Sequence, residues 1–433
     1  MILSIVTFAV TIISMISLII FKPNIRIGKV SFQTFYIVTL LGAIVVLCTN
    51  QIDVTNLWTN LTSGTMNPIK ILVLFISLSM ISISLDELNF FNYLSTKALR
   101  HSNGNQYRIF FTIYFLVALL TIFTSNDIVI LTFTPFIILF SKKAKINPIP
   151  YLICEFVNAN TYSMLLSIGN PTNIYLSGTQ NISFVEYLSK MWLPTLLSGL
   201  FTLLVILLLF HKDLSKKMEY VEIEEEKLKN KGLVIVNLVI LALTTILLVI
   251  SNYIQLEMWA ICLSSMVLLS LILVIYSVIK KEKTYLVNTY KRLPYNLIPF
   301  ILSMFILVLS LKENGFISYL QDFLDIFASN KYSEAFSYTI SSVLFDNVIN
   351  NIPMSVLYSS VLEGRSELAV FSTIIGSNIG AYLTPIGALA GIMWMSILKK
   401  HDLDFGFFSF MKYGLLLVPA AILGSSLGII LMF

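Results

Sequence analysis

Apolar runs of membrane-crossing length alternate with short polar segments along this chain, and two kinds of interruption break the pattern. Uninterrupted runs near residues 1–21, 31–48, 68–85, 191–210, 233–251, 258–279, 294–311 and 410–432 predict transmembrane helices, each close to the roughly 20 residues a bilayer core requires. The first kind of interruption is a pair of shorter apolar arms, 107–122 and 128–140, around Phe123-Thr124-Ser125-Asn126-Asp127. Arg100 and Arg108 flank one outer end and Lys142, Lys143 and Lys145 the other, so the segment enters and leaves on one face. This predicts a re-entrant hairpin at 107–141 whose tip lies at membrane depth, where free backbone groups need protein or a water-filled cavity. A second hairpin is predicted at 332–361, with Phe345-Asp346-Asn347 as its tip and Asn350-Asn351-Ile352-Pro353 after it.

The second kind of interruption is a broken span. Gly169-Asn170-Pro171-Thr172-Asn173 divides the apolar stretch 150–178, and Thr384-Pro385-Ile386-Gly387 divides 368–398, after Gly376-Ser377-Asn378-Ile379-Gly380. Proline removes a donor and blocks the carbonyl four residues back, and glycine permits non-helical dihedrals, so both spans unwind. Freed carbonyls and side-chain oxygens suit a cation, and half-helix N-termini suit an anion. A single break could equally be a proline kink re-satisfied by Ser and Thr; two breaks, each after a hairpin, favour function.

The predicted fold is an all-α polytopic membrane protein of two repeats, 1–210 and 232–433, joined by a cytoplasmic linker at 211–231. Each repeat has five crossings plus one hairpin, and an odd number of crossings turns the second upside down. The basic residues agree with this. Loops at 22–29, 97–108, 142–145, 212–231, 280–292 and 399–412 hold 23 of the 28 Lys and Arg residues, as cytoplasmic loops should. The halves also share residues. A shift of 226 pairs Leu85, Glu87, Phe90, Tyr93 and Leu94 with Leu311, Glu313, Phe316, Tyr319 and Leu320.

Composition removes soluble classes: 57% of residues are hydrophobic and 12% charged. The net charge of +5 reports topology before it reports any ligand, and no nucleic-acid partner is expected. Cys48, Cys154 and Cys262 stand singly in apolar segments, without zinc or disulfide spacing. The apolar start lacks a basic leader and a cleavage site, and reads as a first span. No Gly-rich phosphate loop with Lys occurs, so this chain does not hydrolyse ATP, which leaves room for a separate ATPase subunit.

Three acids at membrane depth need partners or a function. Asp127 at the first tip is the leading coupling residue, holding a cation or taking up a proton, or else capping the second arm. Asp346 carries the same choice. Glu155 either lines the pathway or faces a polar seam. Asp86, Glu87, Lys312 and Glu313 lie at span ends, and His101, His211 and His401 in loops, so no histidine relay crosses the membrane. An intramembrane hydrolase would have only Asp127 and Asp346 as a dyad, and a channel would not need paired broken helices.

Ser125-Asn126-Asp127 with Thr134-Pro135, Asn350-Asn351-Ile352-Pro353, and Gly376-Ser377-Asn378 through Thr384-Pro385-Ile386-Gly387 to Trp394 together make the chain resemble the arsenical pump membrane protein family. These arsenite and antimonite permeases share a superfamily with sodium/dicarboxylate symporters and sodium/proton antiporters. The resemblance implies a scaffold and a transport bundle with opposed hairpins, often dimeric in relatives, in the cell membrane. It also implies a small anion or oxyacid substrate and no cofactor beyond a bound Na⁺ or H⁺ as coupling ion. Three positions depart from the family: Ala381-Tyr382 replaces Pro-Lys, Gly169-Asn170-Pro171-Thr172-Asn173 replaces Ser-Asn-Leu-x-Asn, and Asp346 replaces a small residue. The expected site comprises Ser125, Asn126, Asp127, Gly169, Asn170, Thr172, Asn173, Asp346, Asn347, Asn351, Asn378, Thr384, Pro385 and Gly387, with Glu155 as a further coupling candidate.

Overall fold

The computed structural model describes residues 1–22, 24–27, 30–63, 67–102, 104–219, 226–251 and 253–433. The expected linker residues Glu222, Glu224 and Glu225, and Lys29 of the first loop, lie outside them. Helix dominates, with one antiparallel hairpin of β1 (Asn24–Ile27) and β2 (Val30–Gln33). The order of elements repeats. The first half runs α1 (Ile2–Phe21), α2 (Thr34–Cys48), α3 (Val54–Thr62), α4 (Pro68–Glu87), α5 (Phe90–Ser102), α6 (Gln106–Phe123), α7 (Asn126–Ala144), α8 (Ile149–Tyr162), α9 (Pro171–Thr179) and α10 (Phe184–Leu214), with a 3-10 turn at Ser167–Gly169 before α9. The second runs α11 (Lys231–Ile250), α12 (Met258–Lys280), α13 (Thr284–Lys291), α14 (Leu297–Glu313), α15 (Phe316–Asp325), α16 (Lys331–Ile349), α17 (Asn351–Val361), α18 (Glu367–Ile379), α19 (Leu389–Lys400) and α20 (Phe407–Met432), with a 3-10 turn at Gly380–Tyr382 before α19. The shift of 226 carries the start of α5 onto the start of α15.

Seven described helices are long and apolar enough to cross a membrane, and α14 with α15, bent by 79°, makes an eighth. One of the seven is α6, expected as an arm too short to cross. The expected span at 31–48 begins only at Thr34, because residues 31–33 pair as a strand. Four short helices, α3, α5, α13 and α15, occupy stretches expected as loops. Exposed Ile, Leu and Val such as Ile13, Leu208, Ile235, Val278 and Leu431 on α1, α10, α11, α12 and α20 give a lipid-facing surface. By contrast α8 is buried from Pro150 to Thr161 and α18 from Leu368 to Ile379. A helix buried on every side is a core helix, so both broken spans run through the centre.

Contacts gather the connecting segments at two ends. At one end Asn296 bonds Gln33, Arg292 pairs with Asp86 and Glu87 at 2.6 Å each, and Asn89 Nδ2 donates to Lys227 O at 3.0 Å. There too Lys145 pairs with Glu219 at 2.8 Å and Lys142 donates to His401 O at 2.8 Å. Loops 142–145, 212–231, 280–292 and 399–412 thus each take part in contacts between connecting segments. At the other end Lys70 pairs with Glu257 at 2.6 Å, Lys312 with Glu363 at 2.6 Å and Arg365 with Asp325 at 2.8 Å.

Both helix pairs fold back. Gln106, at the start of α6, donates to Lys216 O at 2.8 Å, and Lys145, just past α7, reaches Glu219 of the same segment. Glu334, at the start of α16, accepts from Ser366 beyond α17 at 2.6 Å.

Candidate substrate and ion site

The first tip consists of two extended residues, Thr124 and Ser125, after which α7 starts at Asn126. Asn126 Oδ1 accepts the backbone N–H of Asp127 at 3.0 Å, and its amide donates to Asn160 Oδ1 of α8 at 3.1 Å. Asp127 sits in the first turn of α7, where the helix dipole favours an acid. Its carboxylate has no hydrogen-bond partner among the described residues. Ser125 and Gly169 line one small cleft together with Ser79 and Ser82 of α4.

The first broken span opens earlier than its glycine and proline indicate. α8 ends at Tyr162, and Ser163 turns back onto Asn160 O at 2.8 Å. Gly169 passes so close to Ser163 O that an added Cβ would lie 2.1 Å from it. Asn170 caps α9, accepting from Thr172 N at 3.1 Å, so Thr172 and Asn173 sit in a helical first turn rather than in the unwound segment.

Here the second half enters. Asn378 donates to Asn173 Oδ1 at 2.7 Å, and its Oδ1 accepts from Ser163 Oγ and Asn170 Nδ2, both at 3.1 Å. Ser377 Oγ lies 3.1 Å from Thr172 Oγ1. Asn126, Asn170, Thr172, Asn173 and Asn378 therefore form one buried network through Asn160 and Ser163, two residues the sequence reading missed. The signal for them was Asn158-Ala159-Asn160, polar side chains in an otherwise apolar stretch.

The second tip is displaced from the expected one. Phe345, Asp346 and Asn347 stay helical because Asn347 Nδ2 bonds back to Val343 O and Asn350 N bonds to Asp346 O, both at 2.8 Å. The turn falls on Asn350, with φ 75° and ψ 152°, a conformation that costs a non-glycine residue about 1–3 kcal/mol. Asn350 Nδ2 donates to Ile386 O at 2.8 Å, and Asn351 N to Gly387 O at 3.0 Å, which ties the tip to the second break. Asn347 Oδ1 accepts from Thr384 N at 3.0 Å and Thr384 Oγ1 at 2.6 Å, while its amide donates to Gly380 O at 3.0 Å. Pro385 lies in this break, its carbonyl packed against Gly391.

Asp346 is fully buried, and neither of its oxygens is hydrogen-bonded among the described residues. Its carboxylate lies against Gly380, where an added Cβ would meet Oδ2 at 2.4 Å. Glu155, also fully buried, accepts from Thr134 Oγ1 at 3.1 Å and Trp394 Nε1 at 3.2 Å. It faces a polar seam between α7 and α19, and joins Thr134 of one half to Trp394 of the other. No cationic side chain takes part in these networks, so charge on a bound solute would meet only dipoles, carbonyls and carboxylates.

Residues 18–373 match the family model described as Citrate transporter. The chain belongs to that family. It is also similar to arsenical pump membrane proteins. One from Escherichia coli K12 is 25% identical over 395 residues, 87% of this chain and 89% of that protein. One from Yersinia enterocolitica is 25% identical over 361 residues, 79% of this chain and 82% of that protein. Among solved structures, the Alcanivorax borkumensis YdaH transporter superposes with TM-score 0.59 at 13% identity, over 99% of this chain and 97% of that one. The Neisseria gonorrhoeae MtrF efflux pump superposes with TM-score 0.55 at 14% identity, over 98% and 94%. The protein is thus a multi-pass membrane transporter of the cell membrane and not an enzyme. Among the described residues no hydrogen bond joins the carboxylates of Asp127 and Asp346, the pair considered for a hydrolase.

Proposed function

We propose that this permease is secondary-active, moving a small anion or oxyacid by alternating access and coupled to a proton or sodium gradient. The observation that carries the reading is the junction of the two broken spans at Asn378, whose amide holds Ser163, Asn170 and Asn173 of the other half. A site built from both halves exchanges its open side when one half moves against the other. In this reading the halves are inverted repeats, the basic end is cytoplasmic and both termini lie outside. The coupling ion binds Asp127, Asp346 or Glu155.

A second reading, a sodium-coupled citrate or dicarboxylate symporter, is favoured by the family model over residues 18–373 and by Pro171-Thr172-Asn173 at the first break. A sodium/proton antiporter is the variant in which no organic anion moves. Proteoliposomes with arsenite, citrate or succinate, and pH and sodium gradients imposed separately, distinguish these readings. Gradient-driven accumulation of arsenite supports the first, of citrate or succinate the second, and ion exchange alone the third. No gradient-dependent movement of any of them overturns secondary transport.

A further inference from the structure

We propose that a cleft at the end opposite the basic loops is a binding site for a small anion, in which Lys312 is the binding cation and Glu363 its displaceable internal counter-ion. The inference deepens the permease reading by naming the substrate charge and its point of capture, while its test is independent of transport.

The cleft has a volume of about 300 Å³ and lies between α3, α9, α14 and α17. Its wall is mixed: Thr59, Asn60, Thr179, Gln180, Ser359 and Ser360 supply hydroxyl and amide groups, and Phe305, Val308, Leu309 and Val356 an apolar side. Both inner helices start in the polar core: α9 carries Thr172 and Asn173 in its first turn and Thr179 at the cleft, and α17 runs from Asn351 at the second tip to Ser360. A solute held here is therefore at the far ends of two helices, one of which starts in the Asn378 network and the other at the second tip.

Five basic residues stand outside the six basic loops, and position at the cleft, not pairing, selects among them. Lys70 is paired with Glu257 and Arg365 with Asp325, while Lys190 donates to Met432 O and covers the Phe433 ring at 4.0 Å. Of the basic residues outside the six basic loops, only Lys312 lines the cleft. Its ammonium meets both oxygens of Glu363, at 2.6 and 2.7 Å. Both side chains are partly exposed, 37% and 54%, so the pair is weak enough for a solute carboxylate or oxyanion to replace it. Replacement would also release the segment after α17 from the end of α14.

The repeat sharpens the point. The shift of 226 carries Asp86 onto Lys312 and Glu87 onto Glu313, so one position of the two helix ends changes sign while the next stays acidic. Asp86 is committed to Arg292 at 2.6 Å and accepts from Thr132 of α7 at 2.9 Å. The basic end thus holds its hairpin arm with an acid, and the opposite end presents an ammonium.

The test measures protection of a cysteine. In purified full-length protein carrying Cys48→Ser and Ser360→Cys, the rate of reaction with a neutral maleimide is followed against citrate, succinate and inorganic phosphate. At least one should slow the reaction saturably. Glu363→Gln should lower the half-protecting concentration about two- to fivefold, the range a half-exposed ion pair supports. Lys312→Gln should raise it about tenfold or more, as loss of a charge-assisted bond predicts, and Lys312→Arg should retain protection. Protection by none of the three anions overturns the proposal. So does protection that is unchanged in Lys312→Gln or weakened in Glu363→Gln. Lys312-dependent protection in a protein that moves no substrate would uphold the site and overturn the permease reading instead.

Discussion

Asn378 of α18 donates its amide to Asn173 Oδ1 of α9 across 2.7 Å, at the point where the two broken spans meet. Both side chains are fully buried. Neither helix can withdraw without breaking this bond and the two others that Asn378 Oδ1 accepts. Buried polar networks of this kind hold one arrangement firmly while all members are satisfied and fail together when one is removed.

The first prediction follows from that dependence. Asn126→Ala, Asn173→Ala, Asn347→Ala and Thr384→Ala should each reach the membrane and lose transport. Each removes side-chain hydrogen bonds at the Asn378 network or at the second break, worth about 0.5–1.5 kcal/mol apiece, short of unfolding a large helical protein. Membrane yield, thermal unfolding in detergent and uptake in vesicles measure the two effects separately. Transport retained in all four variants would remove the network from the mechanism.

The fold was legible where the signal was strong and local. The apolar runs mark the long helices, because a helix that crosses a bilayer needs an apolar stretch of about that length, written continuously in the sequence. The first tip could be read because Thr124 and Ser125 are extended residues between two apolar arms. The second was misread because Asp346 and Asn347 look like a turn but are helical, and the turn needs Asn350 in a conformation usually left to glycine. Asn160 and Ser163 carry no glycine or proline signal: that break starts with a serine turned onto its own helix. The four short helices lie at the ends of spans, where polar and apolar residues mix and imitate a loop.

A second prediction concerns orientation. With the basic end in the cytoplasm, a cysteine at Ser63 should react with an impermeant reagent in intact cells, and one at Ser215 should react only after permeabilisation. Cys48 is exposed and must first be replaced. Labelling of Ser215→Cys from outside, with Ser63→Cys protected, would invert the assignment.

Close packing gives a third. At Gly380 a methyl group would stand 2.4 Å from Asp346 Oδ2 and 2.8 Å from its Cβ, with no flexible chain end to move aside. Gly380→Ala should therefore destabilise the protein by about 1–3 kcal/mol, as overpacking of a filled core does, and reduce transport. Gly406→Ala, with nothing within 4 Å, is the matched control and should be neutral. Equal unfolding temperatures for the two variants would show that α16 and the 3-10 turn give way easily.

Asp127 carries the fourth, which concerns coupling. A carboxylate at the bilayer centre costs about 2.5–3.5 kcal/mol on insertion scales, so its charge must be offset during the cycle. Glu155 has two donors, Thr134 and Trp394, that hold it in place. Asp346 is closed against Gly380. Asp127 differs from both: it stands at the tip, half-buried, in the first turn of α7 and beside Ser125 and the cleft that Gly169 shares. Dipole and backbone N–H groups offset part of the charge, and a proton or Na⁺ arriving from one side would offset the rest. An ion that binds only when the tip is accessible from that side links carrier movement to its gradient. Asp127→Asn keeps the shape while abolishing the charge. It should abolish gradient-driven accumulation while leaving exchange of labelled for unlabelled substrate intact. Accumulation in the variant with wild-type dependence on pH and sodium would remove Asp127 from the coupling. The coupling role would then pass to Asp346, whose carboxylate can meet an ion only when α16 moves off Gly380.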